Sequence, residues 1–184
     1  MRPSRLIPIV LTLFALTACN KPEQSPLTTV STVDLERYSG AWNELARYES
    51  DREAGCVGAT AIYTLQEKGL NVKNSCYDGS GRLKAQVTGA MTAIEGSNNT
   101  KFKISFSWPF TGEYWILMLA DDYRYSVVSD PDREHLWILS RYTVLSPTDR
   151  ETIFSTLITL GFDPERLYWT GFKAMCNVES ELKK

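Results

Sequence analysis

Side chains that commonly carry catalysis or bind metals are few in this chain of 184 residues, which has one histidine, His135. Its four cysteines are Cys19, Cys56, Cys76 and Cys176. A thiol nucleophile needs a nearby base or cation, and a zinc site needs a cluster of Cys and His ligands. His135 stands in a turn before a predicted strand, where we expect it to be exposed. The chain therefore lacks the side chains that a catalytic triad or a metal-binding cluster needs. We therefore predict no catalytic residue, no metal ion and no cofactor.

The first 18 residues have the composition of a secretion signal. Arg2 and Arg5 form a basic head, and residues 6–16 are almost wholly apolar. That run is shorter than the roughly 20 residues that cross a bilayer, and it matches the apolar core of a signal peptide. Leu16-Thr17-Ala18-Cys19 resembles the lipobox of bacterial lipoproteins, in which the cysteine becomes the acylated first residue. We predict a lipoprotein signal peptide over residues 1–18.

Cys19 is accordingly the predicted site of lipid attachment, through palmitate-type chains. Two or more such chains anchor a protein stably in a membrane. By the same resemblance, an Asp after the cysteine would favour the inner membrane, and this chain has Asn20. We expect an outer-membrane, lipid-anchored protein that faces the periplasm. Residues 21–29 are polar with two prolines, so residues 19–33 are assigned to the acylated N-terminus and a tether.

The charge of the chain is small and evenly spread. It has 20 basic and 22 acidic side chains, a net charge of −2, and loss of Arg2 and Arg5 with the signal peptide makes the balance more acidic. No basic cluster is visible, which argues against nucleic-acid binding and against charge-driven binding to anionic lipid.

Apolar and polar residues alternate with a period of two from Val33 onward, as in half-buried strands. Turn-rich separators such as Asp78-Gly79-Ser80-Gly81 divide the pattern. The predicted strands are residues 41–49, 59–66, 71–77, 83–94, 101–107, 114–120, 125–130, 136–141 and, shorter, 167–171. Eight or nine strands in a chain of this length indicate a sandwich or a closed barrel.

One late segment breaks the alternation. Ser146 and Pro147 supply an N-cap and a proline in the first turn, and Gly161 ends the segment. An apolar face lies between them, formed by Ile153, Phe154, Leu157, Ile158 and Leu160. We predict a helix over residues 147–160.

Three separated motifs carry a family resemblance. Gly40-Ala41-Trp42 opens the first strand and resembles the G-x-W signature of lipocalins. Asp122-Tyr123 matches part of their T-D-Y signature, with Asp121 in place of the Thr, and Arg141 matches the third signature. The run over residues 130–141 resembles the bacterial lipocalins and their apolipoprotein D relatives. The resemblance implies that Trp42 fills the closed end of a barrel and that Arg141 lies across its ring, a cation–π contact worth about 1–2 kcal/mol.

The resemblance also implies a fold and a function. The fold is all-β, an eight-stranded up-and-down antiparallel β-barrel over residues 34–172 with one C-terminal α-helix packed outside, followed by a tail over residues 173–184. The implied function is to bind a lipid with an acyl chain, a fatty acid or a lysophospholipid, and to carry or store it for envelope lipid handling. We do not expect the protein to be an enzyme. Two alternatives stay open: a lipocalin-fold enzyme for a small hydrophobic substrate, and a partner-binding lipoprotein with a filled barrel.

The ligand-binding residues are predicted from apolar parity along each strand and from the resemblance. They are Glu44, Tyr48, Ala61, Tyr63, Met91, Phe106, Tyr114, Ile116, Val128, Trp137 and Leu139. Small residues among them (Ala46, Ala61, Gly89 and Ser126) should leave space, because a barrel filled by its own side chains needs bulk throughout. We expect Glu44 to orient the ligand, or to point outward, rather than to act as an acid. No inward Lys or Arg is expected, so tight pairing with a ligand carboxylate is not expected either.

The cysteines allow a disulfide in the oxidising periplasm. Cys56 precedes the second strand and Cys76 ends the third, so a hairpin that turns at residues 67–68 brings both to the same end of the barrel. The resemblance offers an alternative, because Cys176 is similar to a tail cysteine that some lipocalins pair with the position of Cys56. We favour Cys56–Cys76 and leave Cys56–Cys176 open.

Overall fold

Strands are the main regular structure of the computed structural model, which describes residues 25–107 and 110–171. The strands are β1 (Gly40–Tyr48), β2 (Gly58–Gln66), β3 (Gly69–Tyr77), β4 (Leu83–Ala93), β5 (Lys101–Ser107), β6 (Phe110–Leu119), β7 (Tyr125–Ser129), β8 (Leu136–Ser140) and β9 (Leu167–Trp169). Helix α1 (Leu35–Tyr38) precedes β1, and α2 (Pro147–Thr159) lies between β8 and β9. Single turns of 3₁₀ helix cover Asp51–Glu53 and Pro164–Arg166. None of the described helices is long and apolar enough to cross a membrane.

The sheet closes on itself. Each strand from β2 to β7 pairs antiparallel with the next one along the chain, and β1 closes the barrel by pairing with both β8 and β2. The short strand β9 adds to the end of β1, where Leu167 lies opposite Tyr48. The predicted eight-stranded up-and-down barrel is confirmed. Its mouth end carries the connections over residues 49–57, 78–82 and 130–135, and its closed end carries α1 and the connections over residues 94–100 and 120–124.

A β-bulge in β1 changes which side chains face the interior. Glu44 lies opposite Leu139 on β8, but Ala46 lies opposite Ile138, one residue short of the regular register. The extra residue in β1 turns the remainder of the strand over, as one-residue slips do. Arg47, opposite Trp137, therefore lies on the inner face.

Helix α2 packs on the outside of the barrel, as predicted. The Ser146 hydroxyl accepts a hydrogen bond from the Asp149 amide at 3.1 Å, and a proline stands in the first turn. Ile153 and Leu157 are fully buried in a cluster with outward residues of β7 and β8, including Val127 and Ile138. This outer cluster is separate from the apolar cluster inside the barrel.

The closed end has the arrangement that the resemblance implies. Trp42 is fully buried, and its indole nitrogen donates to the Tyr38 carbonyl at 2.8 Å. The guanidinium carbon of Arg141 lies 3.9 Å from the centroid of the Trp42 ring. Arg141 also donates to the carbonyls of Ala41 at 2.7 Å and Arg37 at 2.8 Å. The guanidinium thus ties the end of β8 to the entry of β1.

Strand β6 begins earlier than predicted. We expected it from residue 114, but the structure starts it at Phe110, with Thr111 opposite Ser105 and Gly112 opposite Ile104. The polar residues in this stretch give no alternation from which a strand could be predicted. Tertiary pairing with β5 overrides that weak local signal.

Candidate ligand-binding site

The interior of the barrel divides into two parts. The closed half is packed with side chains that are at most 7% exposed: Tyr38, Trp42, Tyr63, Leu70, Met91, Phe102, Tyr114 and Ile116. These residues make a solid core above the Trp42 ring. They leave the other end of the barrel, towards the mouth, as the place for a ligand.

Three tyrosine hydroxyls meet inside the closed half. The Tyr114 oxygen lies 2.8 Å from that of Tyr38 and 3.0 Å from that of Tyr63, and Tyr38 also contacts the Ser126 hydroxyl at 3.1 Å. Burial raises the pKa of Tyr38 to about 12 and the pKa values of Tyr63 and Tyr114 well above 10. The hydroxyls therefore stay protonated and neutral. In this form each can donate and accept hydrogen bonds within the buried network.

The mouth half has an open inner wall. Val87 of β4 lies opposite Asn74 of β3, and Ala85 lies opposite Cys76, in the same inward phase as Val72 of the interior cluster. Val87 is nevertheless 49% exposed, and Ala85 is exposed as well. Residues 83–88 of β4 are exposed on both faces of the strand, and β4 pairs with β5 over residues 90–93. Solvent therefore reaches the inner face of this part of β4. The mouth half, lined by Ala59, Asn74, Ala85, Val87, Ile104, Phe106 and Trp137, is therefore the candidate site.

Phe106 fills part of the space that the sequence analysis expected to be free. A Cβ atom on Gly89 would lie 2.7 Å from Cδ1 of the Phe106 ring. The ring thus packs directly on the backbone of β4. The prediction that Gly89 leaves free space is wrong, because its neighbour on β5 fills the gap that the missing side chain creates.

Tyr48 does not face the ligand site, and its predicted inward position is wrong. Its hydroxyl donates to the Asp163 carbonyl at 2.9 Å and accepts from the Asp163 amide at 2.8 Å. Its ring lies 6.3 Å from that of Phe162, in the outer cluster with α2. The bulge between Glu44 and Ala46 is the physical reason, and it moves Ala46 to the outer cluster as well.

The same bulge brings in a residue that the sequence analysis missed. Arg47 is 2% exposed and lies on the inner face, where its Nη1 donates to Oε1 of Glu44 at 2.7 Å. The expectation that no Lys or Arg faces inward is wrong. Strict alternation places Arg47 outside, and no signal in the sequence reveals the bulge.

The other predicted site residues lie on the inner face, shown by their membership of the interior cluster or by cross-strand register. They are Glu44, Ala61, Tyr63, Met91, Phe106, Tyr114, Ile116, Val128, Trp137 and Leu139. Glu44 is buried beside Arg47 and Glu53. Burial, followed by the charge of Glu53, raises the pKa of Glu44 to about 8, although Arg47 opposes the shift.

The favoured disulfide is confirmed. Cys56 and Cys76 are bonded, with their Cα atoms 5.3 Å apart. The bridge joins the connection between β1 and β2 to the end of β3, at the mouth end of the barrel. Cys176, the alternative partner, and Cys19 lie outside the described residues, as does the predicted tail over residues 173–184.

Comparison with known families settles the class of this barrel. A family model described as a lipocalin-like domain matches residues 33–171. The chain is a lipocalin. This lipocalin is 34% identical over 170 residues to the outer membrane lipoprotein Blc of Escherichia coli K12. The alignment covers 90% of this chain and 96% of that protein. It is 32% identical over 171 residues to the Vibrio cholerae protein of the same name, covering 90% and 97%. The relatives' name agrees with the outer-membrane location that the N-terminal sequence predicts.

Solved structures show the same fold. This lipocalin superposes on insecticyanin from Manduca sexta with a TM-score of 0.65 and 23% identity, over 82% of this chain and 85% of that one. Apocrustacyanin C1 gives a TM-score of 0.63 at 16% identity, over 86% and 96%. As a lipocalin, the protein is a binder of small hydrophobic ligands.

His135 is the centre of a small polar group at the mouth end of this lipocalin. Its Nδ1 lies 2.6 Å from Oδ2 of Asp130, and its ring stacks on Trp137 with centroids 5.7 Å apart. Ligand atoms of Asp130, Glu134 and His135 come within 4.8 Å of one another, so they are the described residues that could approach a metal ion. Asp130 also accepts from the amides of Glu134 and His135, which explains the group as a loop-ordering cap.

Proposed function

We propose that this lipocalin is anchored by acyl chains on Cys19 to the outer membrane, facing the periplasm. It binds a lipid with an acyl chain, a fatty acid or a lysophospholipid, and carries or stores it for envelope lipid handling. The observation that carries the proposal is the inner wall of the mouth half, where Val87 faces the interior and is still 49% exposed. An apolar cavity with a few polar groups is the usual form of a small-molecule site.

The shape of the site favours an acyl chain. Apolar side chains line the wall, from Ala59 and Val87 to Phe106, and the packed closed half supplies a floor. A flexible chain can enter such a half-barrel end-on and bury its methylenes, each worth about 0.8 kcal/mol. Tyr63 and Tyr114, which the sequence analysis predicts to bind the ligand, belong to this floor. Because their hydroxyls are hydrogen-bonded to each other, they contact the ligand through the edges of their rings.

The path of the tether supports anchoring beside the mouth. The Ser25 carbonyl accepts from Arg133 at 2.6 Å, in the mouth-end loop between β7 and β8, while the Val33 amide donates to the Asn98 carbonyl at the closed end. Only six residues lead from Cys19 to Ser25, a reach of at most about 20 Å. An acylated Cys19 would therefore keep the mouth close to the membrane that supplies the lipid. A flexible insertion before Ser25 should slow lipid uptake from vesicles, and an unchanged rate would contradict this orientation.

The test of binding uses the Cys19→Ser protein, which cannot be acylated at residue 19, after removal of co-purified lipid. Titration with palmitate should saturate at one ligand per chain. Val87→Trp fills the mouth half and should weaken binding at least about tenfold. The matched control Ile158→Trp lies on the outer face of α2, where Ile158 is 64% exposed, and should leave affinity unchanged. Absence of saturable binding to both palmitate and lysophosphatidylcholine would contradict the proposal and favour a barrel that serves a protein partner.

A further inference from the structure

The buried cation in the mouth half is incompletely satisfied. Arg47 donates through Nη1 to Glu44 at 2.7 Å and through Nη2 to the Cys56 carbonyl at 2.9 Å. Its guanidinium carbon also lies 4.7 Å from the centroid of the Tyr168 ring. Among the described residues, Nε of Arg47 is the one buried side-chain nitrogen or oxygen that makes no hydrogen bond. Buried polar groups are normally bonded, so this free donor needs an explanation.

Glu53 faces that donor but binds it poorly. Its Oε2 lies 3.4 Å from Nε of Arg47, close enough for charge attraction and without the geometry of a hydrogen bond. Its contacts with the Trp137 indole nitrogen, at 3.3 Å, and the Ser50 hydroxyl, at 3.4 Å, are equally long. Charge-assisted hydrogen bonds are usually about 2.7–2.9 Å. The Glu53 carboxylate is therefore a loosely bound counter-ion.

The position of Glu53 makes it replaceable. It ends the single 3₁₀ turn Asp51–Glu53 in the connection from β1 to β2, at the mouth end. Its side chain is 24% exposed, whereas those of Arg47 and Glu44 are 3% and 7% exposed. Rotation of the Glu53 side chain alone would uncover Nε of Arg47, while Nη2 keeps its hydrogen bonds to the carbonyls of Glu53 at 3.4 Å and Cys56 at 2.9 Å.

The charge balance then selects the incoming group. Arg47 lies between the carboxyl groups of Glu44 and Glu53, and the paired His135 and Asp130 lie beside Trp137. An anion that takes the place of Glu53 keeps the charge around Arg47 unchanged. A neutral head group would leave the buried guanidinium with less compensation, which is costly in a low-dielectric site.

We propose that Arg47 is the anchor for the anionic head group, carboxylate or phosphate, of the bound lipid, and that Glu53 occupies this position until the ligand displaces it. The inference rests on the proposed function and adds the class of ligand. It assigns Arg47 as the residue that distinguishes anionic from neutral lipids, and Glu53 as an internal competitor. The guanidinium matches both carboxylate and phosphate because its fork of donors can bind either in a bidentate manner.

The experiment compares lipids that differ only in the head group. The Cys19→Ser protein is titrated with palmitate and with hexadecanol, at a pH where the fatty acid is ionised, and separately with lysophosphatidate and monopalmitoylglycerol. The anionic member of each pair should bind about tenfold more tightly, the effect of one charge-assisted hydrogen bond. The two pairs distinguish a carboxylate from a phosphate head group, and preference in either pair supports the proposal.

Two variants separate the anchor from its competitor. Glu53→Gln removes the internal carboxylate and should tighten palmitate binding several-fold while hexadecanol binding stays the same. Arg47→Gln should abolish the preference for anions, and Glu53→Gln keeps the proposal testable if Arg47→Gln fails to fold. The control Arg82→Gln removes a cation from the same end of the barrel, where the Arg82 side chain is 82% exposed, and should change neither affinity.

Distinct results would overturn the two proposals. If anionic and neutral lipids bind with equal affinity, or if Glu53→Gln alters both alike, the head-group proposal is wrong and the acyl-carrier function stands. If no member of either pair binds, the acyl-carrier function fails, and the role of Arg47 fails with it.

Discussion

The ring of Phe106 lies against the backbone of Gly89, so that a Cβ atom added to Gly89 would be 2.7 Å from the ring and 2.9 Å from the Ser105 carbonyl. Neither contact leaves room for a methyl group. This packing joins β4 to β5 between the packed closed half and the open mouth half. The depth of the ligand site is therefore set by a large residue packing on a small one.

Gly89→Ala should destabilise the protein by about 1–3 kcal/mol, because the new methyl group must displace Phe106 and press on the backbone of β5. Denaturant unfolding measures the loss. Gly112→Ala is the matched control on the same inner face, since its Cβ would meet Ile104 at an ordinary 3.7 Å. Equal stability of the two variants would contradict the close packing of Phe106.

Tyr114→Phe should cost about 1–3 kcal/mol of unfolding free energy, because it leaves the buried Tyr63 hydroxyl without its bond to Tyr114. Tyr63→Phe combined with Tyr114→Phe should cost less than the sum of the single changes, since both partners are then removed. Thermal or denaturant unfolding of the four proteins completes the cycle, with exposed Tyr142→Phe as a neutral control. Strict additivity would contradict a shared hydroxyl network.

Arg141→Lys should lower stability by roughly 2–3 kcal/mol and leave palmitate affinity unchanged. The lysine cannot reproduce both the cation–π contact with Trp42 and the hydrogen bonds to the Ala41 and Arg37 carbonyls. Arg150→Lys is the comparison, because Arg150 lies over the Trp169 ring at the exposed surface. Reduced binding with unchanged stability would show that the closed end belongs to the ligand site.

The stability of the protein should fall as pH rises from about 4.5 to about 8, because burial and the charge of Glu53 raise the pKa of Glu44 from 4.5 to about 8. In this window the unfolded chain releases the Glu44 proton and the folded protein retains it. The contribution is complete below the unfolded pKa and is lost as pH approaches the folded pKa.

Glu44→Gln removes this dependence, so its stability relative to the unsubstituted protein should increase with pH across that window. Urea unfolding at several pH values tests the prediction. The control Glu67→Gln changes the same charge at an exposed position in the connection between β2 and β3. A stability difference that does not vary with pH would show that Glu44 is ionised throughout.

Most of the fold could be predicted because its signals are local. The period of two marked the strands, the cap at Ser146 and the proline in the first turn marked α2, and the separated motifs around Trp42 and Arg141 indicated the barrel. Hairpin geometry favoured Cys56–Cys76 over Cys56–Cys176, because Cys56 and Cys76 flank neighbouring strands at the same end, and the structure confirms that pairing. The signals for strands and helix lie within a few residues of the element they predict, whereas the closed barrel was predicted from the family resemblance of motifs far apart in the chain.

The candidate site was predicted less completely because it depends on contacts between strands. The bulge after Glu44 exists only in the pairing of β1 with β8, so simple alternation placed Tyr48 inside and Arg47 outside. Likewise, the space beside Gly89 depends on the position of Phe106 on another strand. The interior of a closed barrel is therefore determined by register, which one strand's sequence does not contain.

The position of the acyl chain is the most direct test of the central claim. The Cys19→Ser protein should be crystallised with a fatty acid brominated in the middle of its chain, and the bromine located by anomalous scattering. The account predicts a bromine peak inside the mouth half, among Ala59, Val87 and Phe106. A peak on the outer wall beside α2, or a barrel without bound lipid at saturating ligand, would contradict it.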